Sequence, residues 1–60
     1  MAFYTFEKTD DSFVLQYAVK YPTDQRENEC IAFCVDENEA RLVCEALNIK
    51  LIRQLAKANN

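Results

Sequence analysis

From Asp36 to Ala58 the chain reads DENEARLVCEALNIKLIRQLAKA, a stretch with neither Gly nor Pro. Within it Ala40, Val43, Cys44, Leu47, Leu51, Leu55 and Ala58 recur at helical spacing and fall on one stripe when the chain turns by about 100° per residue. No other stretch is long and periodic enough to be a helix, so whatever precedes it in a 60-residue chain must serve as cover for that stripe. The helix start has a mechanism. Asp36 can accept hydrogen bonds from the free amides of the first turn, and Glu39 can reach back to the Asp36 amide, the capping-box arrangement. Glu37 and Glu39 put negative charge at the positive end of the helix dipole, and Lys57 puts positive charge near the other end. Asn48 is the soft spot, because Asn can close a helix in the left-handed conformation; a break into two shorter helices there stays open.

The far side of this helix is unusual for a solvated face. Leu42, Ala46, Ile49, Ile52 and Ala56 form a second, looser stripe, interrupted by Glu45 and Arg53. Burial of Leu42, Ile49 and Ile52 would contribute about 1.5–3 kcal/mol each. Three arrangements account for them: a small sheet that curls round to cover part of that side, single aliphatic side chains left on the surface, or a contact with a second copy or another protein. The last is the expectation, with Ala46 and Ala56 letting two helices approach closely and Glu45 and Arg53 at the rim.

The first forty residues read as sheet. Ala2 to Lys8, AFYTFEK, is rich in aromatic and β-branched side chains, with Tyr4 and Phe6 on one side and Phe3 and Thr5 on the other. Thr9, Asp10, Asp11 and Ser12 make a polar turn in a chain that has no Gly. Phe13 to Tyr21 alternates, and its odd positions Phe13, Leu15, Tyr17, Val19 and Tyr21 are expected to meet the helix. Pro22 ends that strand and opens a polar connection, PTDQRENE, through Glu29. Cys30 to Val35, CIAFCV, is a third strand that can bury either set of side chains. Ile31, Phe33 and Val35 are larger and are expected inside, which leaves Cys30 and Cys34 on the outer face or near an edge. The other sheet face would then carry Val14, Gln16, Ala18, Ala32 and part of Phe3 and Thr5. The expected architecture is a single α+β domain spanning 1–60, a three-stranded antiparallel sheet followed by one long C-terminal helix, β-β-β-α.

Composition removes several function classes. No apolar run reaches the 18 or so residues needed to span a bilayer, and the first residues, MAFYTFEKTDD, lack the pattern of a targeting peptide. Three cysteines, Cys30, Cys34 and Cys44, are an odd number with no secreted disulfide spacing, which points to a reducing cytoplasm. The same three give no fourth ligand of a zinc site, and His is absent. With no His, no phosphate-cradling Gly turn and no nucleophile motif, neither an enzyme nor a cofactor is expected. A domain of this size buries only about 60% of its unfolded surface, and with disulfides and metals set aside oligomerisation is the common remaining way to enlarge the core. The expected function is a non-enzymatic protein-interaction module, homodimeric through Leu42, Ala46, Ile49, Ile52, Arg53 and Ala56. The alternative is a small nucleic-acid-binding regulator that sets Lys50, Arg53 and Lys57, spaced i, i+3, i+7, against phosphates. Against it stands the charge: −6 over residues 1–40 and +3 over residues 41–60, for a net −3. A third reading is a structural domain whose partner docks on the open sheet face.

One resemblance gives a setting. The segment IAFCVDENEARLVCEALNIKLIRQL resembles a pattern in short accessory proteins of tailed bacteriophages and prophages, where an apolar strand and an acidic helix start lead into spaced aliphatics ending in Leu-Asn. Here those positions are Ala40, Val43, Leu47 and Asn48. The resemblance implies a setting, the cytoplasm of an infected cell, in which several kinds of such small proteins act by binding a host or phage protein; it implies no activity.

Overall fold

A computed structural model describes residues 2–10 and 13–58. In chain order the elements are β1 (Thr5–Lys8), β2 (Tyr17–Lys20), β3 (Cys30–Cys34) and α1 (Glu37–Ala58). The three strands form one antiparallel sheet in the order β1-β2-β3, and α1 packs across one face, the β-β-β-α arrangement expected from the sequence.

The sequence stripe on α1 is the buried one. Ala40, Cys44 and Leu51 are buried, and Val43, Leu47 and Leu55 are half-buried. Against them the sheet sets Val19 at the centre, flanked by Phe6, Tyr17, Ala32 and Cys34. The helix begins as its cap dictates: the Glu39 N–H donates to Asp36 Oδ1 at 2.7 Å, and the Ala40 N–H to Asp36 O at 3.1 Å. The return bond from Glu39 is not made. At the other end of the register, α1 runs through Asn48 without a break.

Three expectations are corrected. In β3 the large side chains are not the core: Cys34 is buried and Ala32 half-buried on the helix side, while Phe33 and Val35 stay 44% and 50% exposed. On that side Cys34 and Ala32 pack with Ala40 and Cys44 of α1, small side chains on both elements, and packing distance follows side-chain size. A register shift in β3 opposite Val19 and Lys20 adds Ile31 as an extra residue. Ile31 therefore turns beside Ala32 to the helix side, near Leu47 and Leu51.

The second correction concerns β2, which spans only Tyr17–Lys20 rather than Phe13–Tyr21. Its ladder with β1 closes where the Thr9 N–H donates to Gln16 O at 2.7 Å. Beyond that bond the chain leaves the ladder, and Phe13 is wholly exposed with Val14 and Leu15 also at the surface. Alternation by itself does not make a strand; the sheet around it decides where the strand ends. Part of the expected Thr9–Ser12 turn, Asp11 and Ser12, lies outside the described residues. Third, Ala32 is not on the open face. That face carries Thr5, Glu7, Ala18, Lys20 and Phe33, with Ala18 hidden in the rank between Glu7 and Phe33.

The connection from Pro22 to Glu29 is polar and folded back on itself. Gln25 and Arg26 donate to Pro22 O, Glu29 to Arg26 O, and Tyr21 to Glu29 O at 3.1 Å. Asn28 takes a positive φ of 67°, which Asn tolerates better than most residues. Pro22 itself is buried.

Candidate interaction surface

With the sheet in place on one side of α1, the opposite side stays uncovered. Leu42, Ile49 and Ile52 are 66%, 52% and 51% exposed, and Ala46, Arg53, Ala56 and Glu45 are exposed with them. The sheet does not curl round to reach them. All six residues expected to form an interface therefore lie on one accessible helix side.

Two contacts orient that side. Asn48 faces β1, since its amide bonds the backbone of Tyr4. Lys50 and Gln54 instead line a cleft with Ile31 of β3. At 100° per residue the Leu42, Ile49, Ile52 and Ala56 stripe leans to the β1 flank, and Lys50 and Lys57 lean to the β3 flank with Arg53 between. Lys50, Arg53 and Lys57 are all exposed, and none is in an ion pair among the described residues. The apolar stripe and the basic row are thus adjacent but separate.

Asn48 is held by more than helix propensity. The Tyr4 N–H donates to Asn48 Oδ1 at 2.7 Å, and Asn48 Nδ2 donates to Tyr4 O at 3.1 Å. The Cys44 thiol donates to the same carbonyl at 3.0 Å. One amide side chain supplies both a donor and an acceptor, the pair of groups that a strand residue offers its neighbour. Sequence reasoning missed this role. The signal was present only as a polar residue beside the core stripe.

The cysteines sit apart in role. Burial pushes the Cys34 thiol above its ordinary range, and the nearby Glu39 and Asp36 carboxylates add to the shift. Burial likewise raises Cys44, opposed in part by its hydrogen bond with Asn48. Both are therefore neutral thiols that act as small apolar groups, and Cys30 is half-buried. Among the described residues no three Cys, Asp or Glu side chains gather into a metal-binding group.

The cleft between α1 and β3 is lined by Tyr4, Ile31, Leu47, Lys50, Leu51 and Gln54 and measures about 150 Å³. Sites for drug-sized molecules begin at about 300 Å³, so this one has room for a side chain or a few waters. Beside it Tyr4 and Tyr21 meet with ring centroids 6.0 Å apart, and the Arg26 guanidinium lies 4.7 Å over the Tyr21 ring. That stack fastens the 22–29 connection to the segment just before β1, a structural use of Tyr4, Tyr21 and Arg26. On the open sheet face Lys20 bridges Glu7 at 2.8 Å, and the Glu7 hydrogen bond holds the Lys20 ammonium above its ordinary range.

Among the described residues no helix is long and apolar enough to cross a membrane. No family model matches the chain, and neither a curated protein nor a solved structure matches it.

Proposed function

We propose that the protein is a non-enzymatic interaction module that self-associates through the outer side of α1, with Leu42, Ile49 and Ile52 at the centre of the contact and Arg53 and Glu45 at its rim. The observation that carries this reading is the exposure of those three aliphatics on a straight helix side that the sheet leaves bare. Scattered exposed aliphatics are ordinary; three aligned along one helix, with Ala46 and Ala56 beside them, form a strip that a second copy can cover. The setting we propose is a reducing cytoplasm, supported by three free thiols of which two lie in the core. That the setting is a phage-infected cell, with a host or phage protein as the eventual target, rests on the resemblance of residues 31–55 alone.

The test is a charge at the centre of the strip. Ile49 is half exposed in the single chain, so Ile49→Glu should change domain stability by no more than about 0.5 kcal/mol. It should lower the solution mass while the circular dichroism spectrum stays the same. An unchanged mass would place the contact elsewhere.

A further inference from the structure

The two edges of the sheet are treated differently by the fold. The bond from Thr9 N–H to Gln16 O makes those residues a bonded pair at the end of the β1–β2 ladder. Bonded pairs alternate along an antiparallel ladder, so Glu7 with Ala18 and Thr5 with Lys20 are the next ones. The backbone groups of Tyr4, Phe6 and Lys8 accordingly point away from β2, out of the β1 edge. At Tyr4 both outward groups are occupied, by Asn48 and Cys44 of α1. A helix side chain stands where a fourth strand would begin.

The β3 edge has no such plug. By the same alternation Tyr17 and Val19 turn their backbone groups to β3, where they face Cys34 and Ala32, and Tyr21 continues the series by donating to Glu29 O. Phe33 lies between Cys34 and Ala32, so its N–H and C=O point outward. Among the described residues neither has a hydrogen-bond partner. Natural sheets guard such an edge with charge, Pro, or a bulge along it. Residues 31–35, IAFCV, have no charge and no Pro, and the register shift sits at the beginning of the strand. The Phe33 side chain is itself exposed.

We propose that the β3 edge pairs with the β3 edge of a second copy, antiparallel and centred on Phe33, so that two three-stranded sheets become one of six. Self-pairing fits this edge in three ways. A two-fold axis at Phe33 joins it to its own counterpart by two N–H···O=C bonds and sets the two aromatic rings across from each other on the open face. The same axis sets Ala32 opposite Cys34 of the second copy, small beside small, on the helix side. Finally, the Asn48 and Cys44 contacts take the outward groups at Tyr4, which leaves only the short run of Phe6 and Lys8 for a head-to-tail pairing with β3, the kind that would propagate as a fibre. Pairing of β3 with itself is isologous and closes at two copies. The inference goes beyond the helix contact and does not depend on it, because the Leu42, Ile49 and Ile52 strip leans toward the other flank. With both contacts each chain touches two copies, an assembly larger than a dimer that closes at four when the two axes cross at right angles.

Sedimentation equilibrium in reducing buffer, on the wild type, Ile49→Glu, Phe33→Pro and the double variant, separates the two contacts. Phe33→Pro removes an N–H that β2 does not use, a position where an edge strand tolerates Pro. The wild type is expected at four times 7.0 kDa or more, each single variant at twice 7.0 kDa and the double variant at 7.0 kDa. If Ile49→Glu sediments as a single chain, the β3 contact is overturned while the helix contact stands. If Ile49→Glu leaves the mass unchanged and Phe33→Pro yields single chains, the helix contact is overturned and this one stands. A single-chain wild type overturns both. Should Phe33→Pro lose its circular dichroism spectrum, amide exchange on folded Ile49→Glu decides. The Phe33 amide is expected to exchange at least about tenfold more slowly than a free edge amide. Exchange at the free rate would overturn self-pairing and leave the edge to an extended segment of another protein.

Discussion

Asn48 and Cys44 tie the N-terminal segment to the helix through one backbone unit, that of Tyr4. Asn48→Ala removes a donor and an acceptor from a half-buried peptide group and should cost about 1–3 kcal/mol, read as a lower urea midpoint. Asn48→Asp keeps the acceptor for the Tyr4 N–H and sets a carboxylate against the Tyr4 carbonyl, so it should recover only part of that loss. The thiols make a prediction in pH. Because burial raises Cys34 and Cys44 in the folded chain, the folded state holds those protons more tightly than the unfolded state. Their contribution is complete below the ordinary thiol range and is lost as pH rises past about 8.5 toward the raised folded values. Urea midpoints should be level from neutrality to that point and fall above it, and the fall should be shallower in the Cys34→Ala, Cys44→Ala double variant. The role of Asn48 was not legible beforehand, because in one sequence an Asn within a helix speaks only of helix propensity. Its partner lies 44 positions away.

Among the elements, α1 was read almost to the residue, and the reason is that its signals are local. Capping, dipole charges and a 3.6-residue period all act within a turn or two. Asp36→Ala should therefore lower stability by about 1 kcal/mol with no change in the urea slope. The strands were read less well because their limits and faces depend on neighbours. Tyr17–Lys20 is a strand where β1 runs beside it, and Phe13 to Gln16 is not, although the alternation is as clear there. In β3, side-chain size argued for Ile31, Phe33 and Val35 inside, but the approach of Ala40 and Cys44 reserved the inner side for Ala32 and Cys34. Ala32→Leu should accordingly overpack the helix–sheet gap and cost about 1–3 kcal/mol, whereas Phe33→Ala should alter the stability of the single chain far less. Equal losses from the two, measured in chains kept single by dilution, would mean that the face assignment is wrong.

As a whole the molecule is a thin plate, 45 × 21 × 12 Å, one sheet deep and one helix deep. A 22-residue helix is about 33 Å long, while strands of four or five residues reach about half of that. The C-terminal turns of α1 thus run past the sheet, and after Leu51 no residue of the helix is fully buried. So small a core, with the outer helix side bare, is the arrangement that the proposed association would complete; the candidate strip at Leu42, Ala46, Ile49, Ile52 and Ala56 was visible in the sequence as a second period, whereas the β3 edge was not, since strand order is a property of the assembled sheet. The most direct test of the central claim is the solution mass of the full wild-type chain, followed by sedimentation equilibrium over a wide concentration range in reducing buffer. Self-association predicts at least twice 7.0 kDa, with dissociation on dilution. A mass that stays at 7.0 kDa up to the highest attainable concentration would contradict it.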